Sequence, residues 1–188
     1  NVGEYSNRDK YLYHCMLTVE EIEKLINEIL LAAQMGGNNI PKTQDDIQLS
    51  VLIEKCCNKV KGLAEDKAIE LKLNIESDVK FSGDEYLLEK AITNIIDNAI
   101  LYSPNGATVT VILKNKILSI ENTGIHIDDS DLEQIFIPFY RVDKSHSRDT
   151  GGSGLGLYIV KTIFDHHDIN YSLENTESGV KFSIDFEK

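Results

Sequence analysis

At the start of the chain Leu12, Cys15, Val19, Ile22, Ile26, Ile29 and Ala33 recur in alternating steps of three and four. That spacing predicts one long helix carrying a coiled-coil or bundle seam, started near Ser6–Asn7 with Asp9 in its first turn. Leu25 and Leu30 widen the apolar stripe beyond a two-stranded seam and point to a four-helix bundle. One helix cannot supply four, so the others are expected from upstream sequence and a second copy. The pattern stops at "MGGNNIPKTQDD", the clearest linker in the chain. The expected organisation is therefore 1–36 as part of a bundle, 37–46 as linker and 47–188 as a second unit.

Beyond the linker the periodicity is mixed. "SVLIEKCCNKVKGLAEDK" reads as a helix capped by Ser50, "IELKLNIE" as a strand and "DEYLLEKAITNIIDNAILYS" as a helix. "ATVTVILK" and "ILSIEN" alternate as a hairpin pair. "DDSDLEQIF" makes a short helix, residues 154–167 a longer one, and "INYSLEN" with "GVKFSIDF" closes with two strands. Antiparallel strands with helices on one face make an α+β fold, a two-layer α/β sandwich.

Composition narrows the partners. A net charge of −12 argues against general binding to nucleic acid or anionic membrane, both of which want basic surface. Cys15 and the adjacent pair Cys56–Cys57 have neither metal-ligand spacing nor a disulfide framework, which fits a reduced, cytoplasmic setting. No apolar run approaches membrane-spanning length, and any membrane link is expected through missing upstream segments. "NVGEYSNRDK" reads as chain already in progress, part of something longer.

Two features carry candidate chemistry. "DTGGSGLGLYIVKTIF" (149–164) packs Gly151, Gly152, Gly154 and Gly156 ahead of an amphipathic run. Glycines feeding a helix present backbone N–H groups to a phosphate; a turn with no ligand is the plainer alternative. No Lys-Ser/Thr follows, so it is not a Walker loop. The G-x-G-x-G spacing after a polar loop is not a dinucleotide fingerprint either. Secondly, Asn94 and Asn98 stand four apart and share a helix face opposite Ile95, Ile96, Ala99 and Ile100. Such amides are either capping or core-network groups, or oxygen ligands for a hard cation such as Mg²⁺.

"NIIDNAILYS", "ENTGIHI", "IFIPFYRVD" and "GGSGLGLYIVK", in that order across 84–162, resemble the ATP-binding domain of sensor histidine kinases. With its flanks the whole chain is similar to membrane sensor kinases of the vancomycin-response type. The resemblance implies ATP and Mg²⁺ as ligands: Asn98 on a metal bridging the phosphates, Asn94 beside it, and Tyr102 near the adenine. Asn122, Gly124 and Ile127 would line the adenine end. Phe136 and Phe139 would anchor a mobile lid whose Arg141 and Lys144 face the phosphates. Gly152, Gly154, Leu155, Gly156 and Leu157 would wrap the triphosphate, with His146 and Arg148 either adding lid charge or simply solvated.

The chain departs from the family pattern at Asn122 (usually Asp), His126 (usually Gly), Leu101 (often Lys) and Lys181 (often Thr). Relatives that hydrolyse ATP carry a Glu where Asn94 stands, and an amide cannot take a proton at neutral pH. That favours a kinase over a gyrase-type ATPase. The family's phosphoacceptor pattern is absent; His14 reads as structural, and His166 and His167 suit the C-terminal end of their helix dipole. The resemblance implies a protein histidine kinase whose acceptor lies outside this chain, a homodimer through the long helix, and a response regulator as partner. The alternative is a nucleotide-sensing pseudokinase.

Overall fold

In a computed structural model, which describes residues 2–36, 45–142 and 153–187, the long helix α1 runs Val2–Gly36. It begins several residues ahead of the expected Ser6–Asn7 cap. Its two apolar edges do different things. Leu25, Leu31 and Met35 pack against the rest of the chain, whereas Leu12, Val19, Ile22, Ile26, Ile29 and Leu30 are exposed. Leu25 therefore does not widen the bundle seam; it docks α1 beside helix α5 (Gly156–His167).

Strand β1 (Asp45–Gln48) begins inside the stretch expected to be linker through 46. It pairs antiparallel with β3 (Lys80–Gly83), Ile47 opposite Phe81. Neither strand was expected, because each offers at most one large apolar residue. Helix α2 (Leu49–Asp66) starts one residue before Ser50, which is not its cap; Gln48 holds that position without a side-chain bond. The Leu49 N–H instead donates to the Val79 carbonyl at 2.8 Å.

Strands β2 (Glu70–Ile75), β4 (Thr108–Lys114), β5 (Ile117–Thr123), β6 (Asn170–Asn175) and β7 (Gly179–Asp185) form one sheet in the order β2-β4-β5-β7-β6. All neighbours are antiparallel except β2 and β4, which run parallel. The sheet is thus mixed, not wholly antiparallel as expected. A parallel pair needs a long crossover, and here it contains β3 and α3 (Glu85–Leu101).

Alternation decides which side chains enter the core. Val109, Val111 and Leu113 of β4, Leu118 and Ile120 of β5, and Val180, Phe182 and Ile184 of β7 are all buried. All of these but Val180 share one core with α2, α3 and α5, including Leu88, Ile92, Ile96, Ile159 and Ile163. A ring cluster fixes α5 to the far edge: Phe164 and Phe136 each lie 5.5 Å from Tyr171, which stacks on Phe182 at 5.9 Å. Helix α3 lies between α2 and α5, so its free face looks toward the start of α5. The short helix α4 (Asp129–Leu132) is all that forms of the expected 128–136 helix.

Candidate functional site

Asp84 starts α3 by accepting the Leu87 N–H at 3.0 Å. From there the helix turns Ile95, Ile96, Ala99 and Ile100 into the core and leaves Asn94 and Asn98 half-buried on the opposite side. A Cβ added at Gly156 would stand 4.0 Å from both Asn94 Cγ and Asn98 Nδ2. A larger residue there would project toward the amide pair, so glycine keeps the space between α5 and α3 open. Gly156 is also the first residue of α5, and a helix start carries N–H groups without intrahelical partners. Neither amide side chain makes a hydrogen bond to a described residue.

Gly154 makes a close approach within the chain itself. Its φ is +74°, and a Cβ would come within 2.9 Å of the Phe139 backbone. Its carbonyl accepts the Phe139 N–H at 2.9 Å. The close approach is thus to the 139–140 backbone, which ties residues 139–140 to the start of α5. Leu155 is buried and Leu157 packs against the core, so both hold α5 in place. Ser153 Oγ accepts the Leu155 N–H at 3.1 Å and donates to Glu28 Oε2 of α1 at 2.6 Å. Glu28 is buried. Burial pushes the Asp97 carboxyl of α3 up, with Lys24 of α1 pulling the other way.

The other end of the cleft is built at the close of β5. Asn122 shares the core-facing side with Leu118 and Ile120, between Val109 and Val180. It is 5 % exposed, and its Nδ2 donates to Ser103 Oγ at 3.1 Å. Gly124 (φ +94°) folds down onto Pro104, where a Cβ would sit 2.7 Å from the proline ring. Tyr102, the α3 C-cap residue, is half-exposed beside this turn. The Lys67 ammonium closes the same helix end by donating to the carbonyls of Ile100, Leu101 and Ser103. Ile127 is gripped by Asn175, whose amide accepts its N–H at 2.9 Å and donates to its carbonyl at 2.7 Å. His126 is fixed to the Thr176 carbonyl at 2.8 Å, which stands in for whatever a glycine would allow there.

Two expected roles change. Phe136 is anchored among Tyr171 and Phe182, but the Phe139 ring is 64 % exposed at φ +64° and joins no core among the described residues. His167 is buried rather than a dipole partner: its Nδ1 meets the Ile163 carbonyl at 2.8 Å and its Nε2 accepts the Asp84 N–H at 3.0 Å. It is a neutral tether from the end of α5 to the start of α3. Lys181 lies on the outer sheet face, paired with Glu174 at 2.5 Å, away from the cleft. Arg141 is half-buried and engaged with a neighbour. Lys144, His146, Arg148, Gly151 and Gly152 lie outside the described residues.

Residues 83–188 match the family described as histidine kinase-, DNA gyrase B-, and HSP90-like ATPase. The chain belongs to this family. The sensor protein VanSB of Enterococcus faecalis is 34 % identical over 98 % of this chain and 42 % of its own length. The sensor histidine kinase CusS of Escherichia coli is 30 % identical over 92 % of this chain and 37 % of its own. The chain therefore spans less than half the length of these relatives. The fold is also that of the Acinetobacter baumannii histidine kinase AdeS, with a TM-score of 0.70 at 22 % identity over 92 % of this chain and 82 % of that one. Histidine kinase ThkA, solved in complex with response regulator protein TrrA, superposes at 0.70 over 93 % of this chain and 49 % of that one, at 21 % identity. Membership makes this an ATP-binding fold. Among the described residues no helix is long and apolar enough to cross a membrane.

The site residues that sequence reasoning missed are Ser103, Lys67, Asn175, Ser153 and Glu28. Each acts across the fold on a partner at least 19 residues away, so no local pattern marks it.

Proposed function

We infer that this chain is the ATP-binding, phosphotransfer part of a sensor histidine kinase in two-component signalling. The observation that carries the reading is Gly156 set against the Asn94–Asn98 face, which brings the start of α5 beside a pair of side-chain amides, each with an oxygen to offer. Those oxygens fit Mg²⁺: it is a hard cation, takes few protein ligands and shares the rest with phosphates and water. Asn98 would hold it with Asn94 beside it, and the ion would supply charge neutralisation on the triphosphate. Asn122, Gly124, Ile127 and Tyr102 would enclose the adenine end, while Arg141, Gly154 and Gly156 would lie toward the phosphates; Lys144 and Gly152, expected beside them, lie outside the described residues.

The reaction breaks the bond between the γ-phosphorus and the β–γ bridging oxygen and forms a P–N bond on an acceptor imidazole, which loses its N–H proton; ADP leaves. The acceptor lies outside this chain, on a partner helix of the bundle that α1 would join as a homodimer, within a protein held at a membrane by other segments. Phosphate would then pass to an aspartate of a response regulator. Asn94 disfavours the ATPase alternative, because an amide cannot activate water as a general base.

Titration of the wild type and Asn98→Ala with ATP, with and without Mg²⁺, tests the reading. Loss of most Mg²⁺-dependent affinity is expected, since ligand and phosphate bridge go together. Near-normal Mg²⁺-ATP binding in the variant would sink the metal assignment.

A further inference from the structure

Asn122 is an amide on a core-facing strand position, and the question is what decides which way round it sits. Its Nδ2 donates to Ser103 Oγ at 3.1 Å, and the Ser103 hydroxyl donates to the Ala99 carbonyl at 2.6 Å. Ser103 is 3 % exposed. A serine has one proton to give. With that proton on Ala99, Ser103 Oγ faces Asn122 only as an acceptor, and an acceptor cannot meet the amide oxygen. The amide is therefore held with its NH₂ toward Ser103.

The proton has good reason to stay on Ala99. The Ser103 N–H, which a continued helix would return to Ala99, goes to the Ile100 carbonyl at 3.3 Å. The serine hydroxyl takes its place. Meanwhile Asn122 Oδ1 takes no hydrogen bond, yet Thr93 Oγ1 is the sole sealed side-chain polar atom without a partner among the described residues. Oδ1 therefore reaches open space as a lone acceptor.

We propose that Ser103 is the positioning residue for base selection: it orients the Asn122 amide so that Oδ1 accepts from a 6-amino purine and repels a 6-oxo purine. This rests on Asn122 lining the adenine end, as inferred above. Ser103 itself need not touch the nucleotide. A serine with only a structural role would change the affinity of all purine nucleotides alike; a positioning serine changes their ratio.

ATP and inosine triphosphate differ at the 6-position, amino against oxo, and at the N1 proton that follows from it. Titrations of the whole chain with each, for wild type, Asn122→Ala, Ser103→Ala and Ser103→Thr, separate the possibilities. The wild type is expected to prefer ATP by about tenfold or more, the scale of one well-formed neutral hydrogen bond. Asn122→Ala should abolish the preference. Ser103→Ala should bring it to within roughly threefold, because a released amide can turn its NH₂ to the 6-oxo group; Ser103→Thr, which keeps the hydroxyl, should restore it. If the wild type shows no preference, or Asn122→Ala retains it, the reading of Asn122 fails and the proposal with it. If Asn122→Ala loses the preference while Ser103→Ala keeps it in full, Asn122 stands and the Ser103 role is overturned. Should Ser103→Ala not fold, Ser103→Cys, a near-isostere with a weak donor and acceptor, takes its place under the same criterion.

Discussion

Asn122→Asp pits two effects of a single atom against each other. A carboxylate oxygen facing the adenine amino group makes a charge-assisted bond, roughly twice as strong as a neutral one. The second oxygen faces Ser103, whose hydroxyl must then turn to it and abandon the Ala99 carbonyl. A buried acceptor left unmet costs about 1–3 kcal/mol. ATP affinity should therefore be preserved or raised while the urea midpoint falls, and a variant that loses ATP binding without losing stability would contradict this. The amide pair Asn94–Asn98 was legible because helical spacing alone puts the two on one face. The orientation of Asn122 was not, since Ser103 sits 19 residues away. His167 was misread for the same reason: its partner, Asp84, is 83 residues upstream. Nothing local distinguishes a buried imidazole from one exposed at a helix end.

Helices α2 and α3 are clasped by Glu89, whose carboxylate meets both Lys55, at 2.7 Å, and Lys59. Burial pushes the Glu89 carboxyl up, but the hydrogen bonds from Lys55 and then Lys59 outweigh it and leave it below the ordinary range. A depressed carboxyl stabilises the fold above its unfolded pKa, about 4.3, and loses that contribution as pH falls through the folded value. Both lysines are half-exposed, so screening keeps the effect small. Glu89→Gln should cost on the order of 1 kcal/mol at pH 7, with the gap to wild type closing at pH 3 in urea titrations; a gap that widens in acid would refute the clasp. At this scale the long helices and the five strands of the main sheet were readable from period alone. Strands β1 and β3 were not, because "DDIQ" and "KFSG" are four residues each and a period of two needs more repeats to show. The parallel pairing of β2 with β4 is a fact of topology that no strand's own pattern contains.

The whole molecule couples its long helix to its nucleotide-binding unit at two polar points, Glu28 with Ser153 and Lys24 beside Asp97. An apolar seam along one helix could be read from the sequence; that Leu25 and Met35 pack onto the rest of the chain, with Glu28 bonded to Ser153, could not. Glu28 places a carboxylate where the start of α5 favours an anion, and Ser153 spends its proton on it. On the function proposed above, a triphosphate at the start of α5 would lie close to that negative charge. Binding free energies are reciprocal, so whatever α1 takes from ATP affinity, ATP must take from the docking of α1. Glu28→Gln should accordingly bind ATP several-fold more tightly than wild type, and saturating ATP should speed amide exchange around residues 25–35 in the wild type and far less in the variant. Unchanged affinity in Glu28→Gln would show the contact to be silent. If it is not, one hydrogen bond of 2.6 Å makes the helix a gauge of nucleotide occupancy, readable from the end farthest from the nucleotide.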